Sequence, residues 1–195
     1  LTDVARVVTE LDGAGVRVEL LNIGGGFPGS YGDGAPEIDQ YGASILTAID
    51  ARLGALRPAR TAAEPGRYLV ADAGVIRAEV VLVSPPKIPG GPRWVFLDVG
   101  VFSGLVETTG EAIRYPLRVV GADPTAPTGP AVLAGPTCDS LDVMAESVPY
   151  ELPLDLSAGA QVELLTCGAY TTSYSSIEFN GFPPLRQVVL AAPPI

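Results

Sequence analysis

VRVELLNIGGGFPG, residues 16 to 29, decides how the chain around it folds. Val16, Val18 and Leu20 alternate with Arg17 and Glu19 and run into Leu21 and Ile23, the period of a strand, and the strand stops on three consecutive glycines. Upstream, Val4, Val7, Val8 and Leu11 recur at helical spacing as far as Gly13, a suitable C-terminal stop. Downstream, a loop rich in Gly, Asp and Pro leads to a second helical stripe: Ile38, Tyr41, Ile45, Leu46, Ile49, Leu53 and Leu56, closed by Pro58. A strand from Arg60 to Glu64 then runs into Glu64-Pro65-Gly66-Arg67. Helix, strand, loop, helix and strand in this order predict parallel strands with helices outside, an α/β unit over residues 1–73.

From residue 74 to residue 195 the texture is all-β. Short β-rich runs at Val75–Val83, Trp94–Val99, Leu117–Val120 and Val162–Leu165 are separated by turn-formers such as SPPKIPGGP and ADPTAPTGP, and Gln187–Leu190 reads as a last strand. This predicts a second domain built as an antiparallel sheet, a β-sandwich or small β-barrel.

Composition removes whole classes of function. Hydrophobic residues make up 47% and charged residues 17%, a globular balance. The apolar runs are strand-sized, too short for a membrane span, and no basic-then-apolar leader opens the chain. Twelve basic residues face 22 acidic ones, a net charge of −10, which argues against nucleic acid or an anionic membrane as partner. A bound phosphate would have to be held locally, by backbone amides and one or two arginines. The absence of histidine excludes a Cys/His zinc site and a Ser–His–Asp or Cys–His catalytic unit within this chain. The two cysteines, Cys138 and Cys167, read as a reduced, cytoplasmic pair, although arithmetic leaves a disulfide open.

Gly24-x-Gly26-x-x-Gly29 matches the letters of the dinucleotide fingerprint but not its setting. Pro28 and the stretch from Ser30 to Pro36 delay the helix, and the residues near Asp50 lie inside the helical stripe where a ribose carboxylate should end a strand. Two readings remain for the glycines, a tight turn and an anion cradle at the end of a parallel strand. Glu64 and Arg67 could be a plain surface ion pair. Cys138 has Asp139 beside it, a carboxylate that disfavours the thiolate, and Asp139 alone reads as the cap of a turn before a helical piece near Val143. Tyr170 and Phe179 alone read as core aromatics.

GGGFPG at 24–29, EPGR at 64–67, CDSLD at 138–142, and GAYTTSYSS at 168–176 followed by FNGF at 179–182 stand in the order and spacing of another family. Together they resemble the C-terminal half of the pyridoxal-phosphate (PLP) decarboxylases acting on ornithine, lysine and diaminopimelate, the bacterial ornithine branch above all. The resemblance implies the last β/α units of a PLP-binding (β/α)8 barrel followed by the β-domain. It implies that Gly24, Gly25, Gly26, Arg67 and Tyr170 contact the cofactor phosphate and that Glu64 faces the pyridine nitrogen, where a carboxylate maintains the protonated ring that draws off electrons. Asn22 departs from the family, which usually has an acidic residue there.

In that family the cysteine and the following acid cross a homodimer interface to the partner's site. Cys138 is thereby implied as the catalytic proton donor. Asp139 and Glu111 (with Glu107 as rival in an alignment that can slip) are implied as contacts for the distal amine of a small-molecule amino-acid substrate, and Phe179 as a pocket aromatic. Diaminopimelate decarboxylases usually carry Glu where this chain has Asp139, which tilts the expectation toward ornithine or lysine. Lys87, the sole lysine, sits in a turn between β-runs and cannot be the lysine that binds the cofactor. The resemblance therefore implies about half an enzyme, inert in isolation. A non-catalytic relative of the antizyme-inhibitor kind and diaminopimelate decarboxylase are the competing readings.

Overall fold

In the computed structural model, which describes residues 1–32 and 34–190, the first helical stripe is α1 (Thr2–Gly13). Its stop is Gly15 rather than Gly13: Gly15 takes the left-handed φ of +76° that a Cβ disfavours, and the Val16 amide reaches back to the Leu11 carbonyl at 2.9 Å. β1 (Leu20–Asn22) and β2 (Arg60–Ala62) pair in parallel as expected, Leu20 opposite Arg60 and Asn22 opposite Ala62. Both are shorter than their apolar patterns, since the ladder has only three residue pairs. Between them runs α2 (Ile38–Leu53), with a single 3₁₀ turn at Gly54–Leu56. Val8, Leu21, Ile49 and Leu53 form the core of this unit, with Val4, Val18, Ile23 and Ile45 packed around it.

The chain divides into two compact units between Leu69 and Val70, inside the short helix α3 (Gly66–Val70) that EPGR opens. The first unit holds two strands and three helices, so the described residues form no closed (β/α)8 barrel.

The second unit is one six-stranded sheet: β3 (Ile76–Ser84), β4 (Arg93–Leu97), β5 (Leu117–Val119), β6 (Thr128–Ala134), β7 (Tyr150–Pro153) and β8 (Gln161–Leu164), in the order β5-β8-β3-β4-β6-β7. Alternation along β3 buries Ile76, Ala78 and Val80 and turns Arg77 and Glu79 outward. The expectation of an antiparallel domain needs correction. β4 and β6 run parallel, Arg93 opposite Ala131 and Phe96 opposite Ala134, so the sheet is mixed. β6 and β7 escaped the sequence reading because Thr128-Gly129-Pro130 and Pro153 read as turn; Pro130 instead lies opposite Glu151 in the last ladder of the sheet. The strand expected at Gln187–Leu190 does not form, and Val188, Val189 and Leu190 are exposed. Among the described residues, no helix is long and apolar enough to cross a membrane.

Arg77 on β3 and Arg118 on β5 stand opposite Glu163 on β8 and clamp its carboxylate from both sides, each with a contact of 2.5 Å. The hydrogen bonds from Arg77 first, then Arg118, hold the Glu163 carboxyl below its ordinary pKa. A lowered folded-state pKa contributes stability above the unfolded value, lost as pH falls through the folded value. Glu163→Gln is therefore expected to lower the thermal midpoint at neutral pH, and the gap to the parent chain should close as pH drops below about 4, the ordinary carboxylate range. An undiminished gap in acid, followed by circular dichroism melting, would contradict this clamp.

Candidate active site

The glycines sit where parallel β1 runs out of partners. The Ile23 amide donates to the Ala62 carbonyl at 2.9 Å, and the Glu64 amide returns to the Gly24 carbonyl at 2.8 Å. The loop after β1 is thus laced to the loop after β2. Gly24 and Gly26 take φ of +73° and +83°. Gly25 is glycine for room, since a Cβ there would meet the Glu64 carbonyl oxygen at 2.8 Å. Nothing lies within 4 Å of where Cβ atoms of Gly24 and Gly26 would stand. Such a turn can present backbone amides to an anion.

Asn22 couples the parts. Its side-chain oxygen accepts from the Gly24 amide at 2.8 Å, and its Nδ2 donates to Glu64 Oε1 at 2.6 Å. An acidic residue at 22 would set two carboxylates against each other, so the amide has a physical reason to be here. Arg67, half-buried at the start of α3, donates from Nη1 to the Tyr31 hydroxyl at 2.8 Å, and Tyr31 presents its ring 5.9 Å from the guanidinium carbon. Asn22 and Tyr31 belong to this constellation although sequence reasoning gave them no role. A carboxamide between strand and glycine turn is a signal that could have found Asn22.

In the second unit, Cys138 and Asp139 follow β6 in a loop. Cys138 is exposed, and its Sγ lies 3.9 Å from the Asn180 side-chain oxygen. Phe179, beside Asn180, stacks on Phe102 with ring centroids 4.0 Å apart. The fold thus brings Cys138 and Phe179 to one place, with Asn180 as the residue the reading missed although FNGF pointed at it. Asp139 caps no helix. Its Oδ1 accepts from the Leu141 amide at 2.9 Å, and Val143 instead bridges to Ala134. Glu111, at a left-handed φ of 57°, accepts the Ser147 amide at 2.6 Å. Its rival Glu107 is half-buried.

Tyr170 is not a core residue: it is 42% exposed, its ring is 5.3 Å from that of Tyr174, and its backbone holds φ of 54°. Cys167 differs from Cys138 in its surroundings. It is buried, and burial pushes its thiol up to about 12, so it stays a neutral thiol. Both cysteines are free.

The residues present suit a phosphorylated aromatic cofactor. The glycine turn and Arg67 would hold its phosphate, and the Glu64 carboxylate has a fixed partner in Asn22. Among the described residues, no group of three or more His, Cys, Asp and Glu side chains could hold a metal ion.

Residues 19–168 match the family model described as pyridoxal-dependent decarboxylase, C-terminal sheet domain. Diaminopimelate decarboxylase of Actinosynnema pretiosum subsp. auranticum is 34% identical over 192 residues, covering 94% of this chain and 41% of the relative. Antizyme inhibitor 2 of Xenopus laevis is 34% identical, covering 91% of this chain and 40% of its own length. The crystal structure of lysine/ornithine decarboxylase from Vibrio vulnificus, complexed with cadaverine, superposes with a TM-score of 0.78 at 33% identity, over 96% of this chain and 49% of that one. The chain spans less than half the length of these proteins.

Because Gly25 has a carbonyl where a Cβ would go, Gly25→Ala is expected to push the two strand-end loops apart and destabilise the first unit by about 1–3 kcal/mol, the usual cost of overpacking. Amide hydrogen exchange should rise at Ile23 and Glu64, and protection equal to the parent at both amides would refute the packing argument.

Proposed function

The chain belongs to the pyridoxal-dependent decarboxylases, and we propose that it is the C-terminal part of an enzyme that decarboxylates a basic amino acid, ornithine to putrescine or lysine to cadaverine. The observation that carries this reading is the glycine turn locked to the Glu64 loop through Asn22, with Arg67 beside it. Glu64, Arg67, Cys138, Asp139 and Tyr170 all stand where a catalytic member would need them in sequence, which supports an enzyme over a non-catalytic relative of the antizyme-inhibitor kind.

PLP, when bound, supplies a protonated pyridine ring that takes up the electron pair left behind as carbon dioxide departs. The residues of this chain do the rest. Amides of Gly24 to Gly26 and the Arg67 guanidinium would anchor the phosphate, and the family resemblance assigns it the Tyr170 hydroxyl as well. The Glu64 carboxylate, oriented by Asn22 Nδ2, would keep the proton on the ring nitrogen. The Cys138 Sγ delivers a proton to the carbon that lost carbon dioxide. Asp139 and Glu111 offer negative charge to a distal ammonium, and Phe179 lines the apolar path between the two ends of the substrate.

Diaminopimelate is the second reading, favoured by the diaminopimelate decarboxylase relative. Asp139 and Glu111 support the first reading, Asp139 because diaminopimelate decarboxylases usually carry Glu in its place. Charge-assisted hydrogen bonds to an ammonium are worth about 1.5–3 kcal/mol each, whereas a distal carboxylate would meet like charge. The full-length polypeptide that carries this chain, loaded with PLP, is expected to show a higher kcat/KM for ornithine or lysine than for meso-diaminopimelate. The 195-residue chain alone should release no carbon dioxide from any of them. Preference for diaminopimelate would replace the first reading with the second, and release by none of the full-length preparations would favour the binding relative.

The proposal includes a homodimer in which Cys138 and Asp139 serve the partner's site. Mixing a Cys138→Ala protomer with one lacking the cofactor-binding lysine, which lies outside this chain, should restore activity because one of the two sites is then whole. Mixed dimers that form yet remain inactive would return Cys138 to its own site.

A further inference from the structure

Asp142, the last residue of CDSLD, has the most enclosed carboxylate of the second unit, 2% exposed. Burial of a charge is costly unless every lone pair finds a donor. Oδ1 accepts from the Val101 amide at 2.8 Å. Oδ2 accepts from the Thr137 amide at 3.0 Å and the Thr137 hydroxyl at 2.7 Å. The backbone completes the clasp, with the Gly135 amide on the Asp142 carbonyl at 2.9 Å and the Asp142 amide on the Asp139 carbonyl at 3.1 Å.

Space around the carboxylate is reserved by two glycines. A Cβ on Gly100 would fall 2.1 Å from Asp142 Oδ1, and one on Gly135 2.2 Å from the same atom. Neither glycine has the positive φ that would explain it otherwise.

The segments joined are those that carry the candidate chemistry. Val101 opens the turn whose next residue, Phe102, stacks on Phe179. Thr137 immediately precedes Cys138. We propose that Asp142 is a positioning residue for proton delivery: its carboxylate fixes the Cys138 loop against the Phe102 turn, and so fixes where the Cys138 Sγ stands relative to the pocket aromatic. This rests on the reading of Cys138 as proton donor. It makes a buried anion, touching no substrate, the reason why Gly100 and Gly135 are glycines.

Two measurements test it. In the full-length protein, the alkylation rate of Cys138 by iodoacetamide, followed by peptide mass spectrometry, reports the loop, and buried Cys167 is the internal control for global unfolding. Asp142→Ala and Gly135→Ala should both change the Cys138 rate by about fivefold or more while Cys167 stays protected, because each removes the same clasp. Thr137→Val, which deletes only one of the three donors, should do so to a lesser degree and guards against a variant that fails to fold. An unchanged Cys138 rate in Thr137→Val and in every folded clasp variant would overturn the proposal, as would simultaneous exposure of Cys167 in all of them.

In the full-length, PLP-loaded enzyme, Asp142→Ala should lower kcat on the order of tenfold with KM within about twofold, and Asp142→Asn, which retains the acceptor for Val101, should recover part of the loss. If Cys138→Ala leaves kcat intact, the reading of Cys138 fails and takes this one with it. If Cys138→Ala is crippled while Asp142→Ala and Thr137→Val turn over like the parent, the positioning role alone is wrong.

Discussion

The parallel pairing of β4 with β6 is the constraint on which the second unit's candidate chemistry depends. Parallel strands end on the same side. With Phe96 opposite Ala134, the chain leaving β4 at Asp98–Gly100 and the chain leaving β6 at Gly135–Thr137 emerge together, and Asp142 can hold both. An antiparallel pair would have sent those ends to opposite edges, with Cys138 and Phe102 separated by the length of the strands. A parallel connection needs a long crossover, and the chain between β4 and β6 provides it, carrying Glu111 and β5 on the way.

The first unit uses the same device on a smaller scale. β1 and β2 are parallel, Asn22 opposite Ala62, so the glycine turn and Glu64 come off the same ends. Beyond the last ladder bond the backbone still has donors and acceptors, and these lace the loops together: Glu64 to Gly24, Gly25 against the Glu64 carbonyl. Asn22 and Asp142 play matching parts. Each is a polar side chain whose acceptor oxygens take up amides that the strands leave over. The neutral amide stands where its neighbour is a carboxylate, and the anion stands where its neighbours are donors.

The elements with an uninterrupted period were legible in the sequence. Val4, Val8 and Leu11 marked out α1, and the β-rich run Val75–Val83 marked out β3, because each buries one face of a regular element. β6 was not legible, because Gly129 and Pro130 look like a turn until β4 and β7 are known to flank them. Gln187–Leu190 failed the other way. Its residues favour a strand, but a strand exists only through a partner's backbone, and local pattern carries no information on the partner. The same limit applied to the site. Glycines and charged residues in loops announce themselves as candidates, and Gly24 to Gly26 and Glu64 were singled out on that ground, with Cys138 added by the motif around it, whereas Asn22, Asp142 and Asn180 acquire meaning only from atoms far along the chain.

Charge placement bears on the two substrate readings. The arginines of the sheet are occupied. Arg77 and Arg118 face Glu163, Arg93 is buried against the carbonyls of Leu152 to Leu154, and Arg114 binds the Val148 and Pro149 carbonyls while lying 3.7 Å from the centre of the Tyr150 ring. Asp139 and Glu111 are the opposite case. Each accepts one backbone amide, which fixes its direction, and a carboxylate has about four acceptor sites, so each keeps capacity for a further donor. Under the proposed function, oriented carboxylates beside guanidiniums tied up elsewhere support a substrate with an ammonium at its distal end. What matters is where the arginines are tied rather than how many there are, and the count of 12 basic residues carries no trace of it.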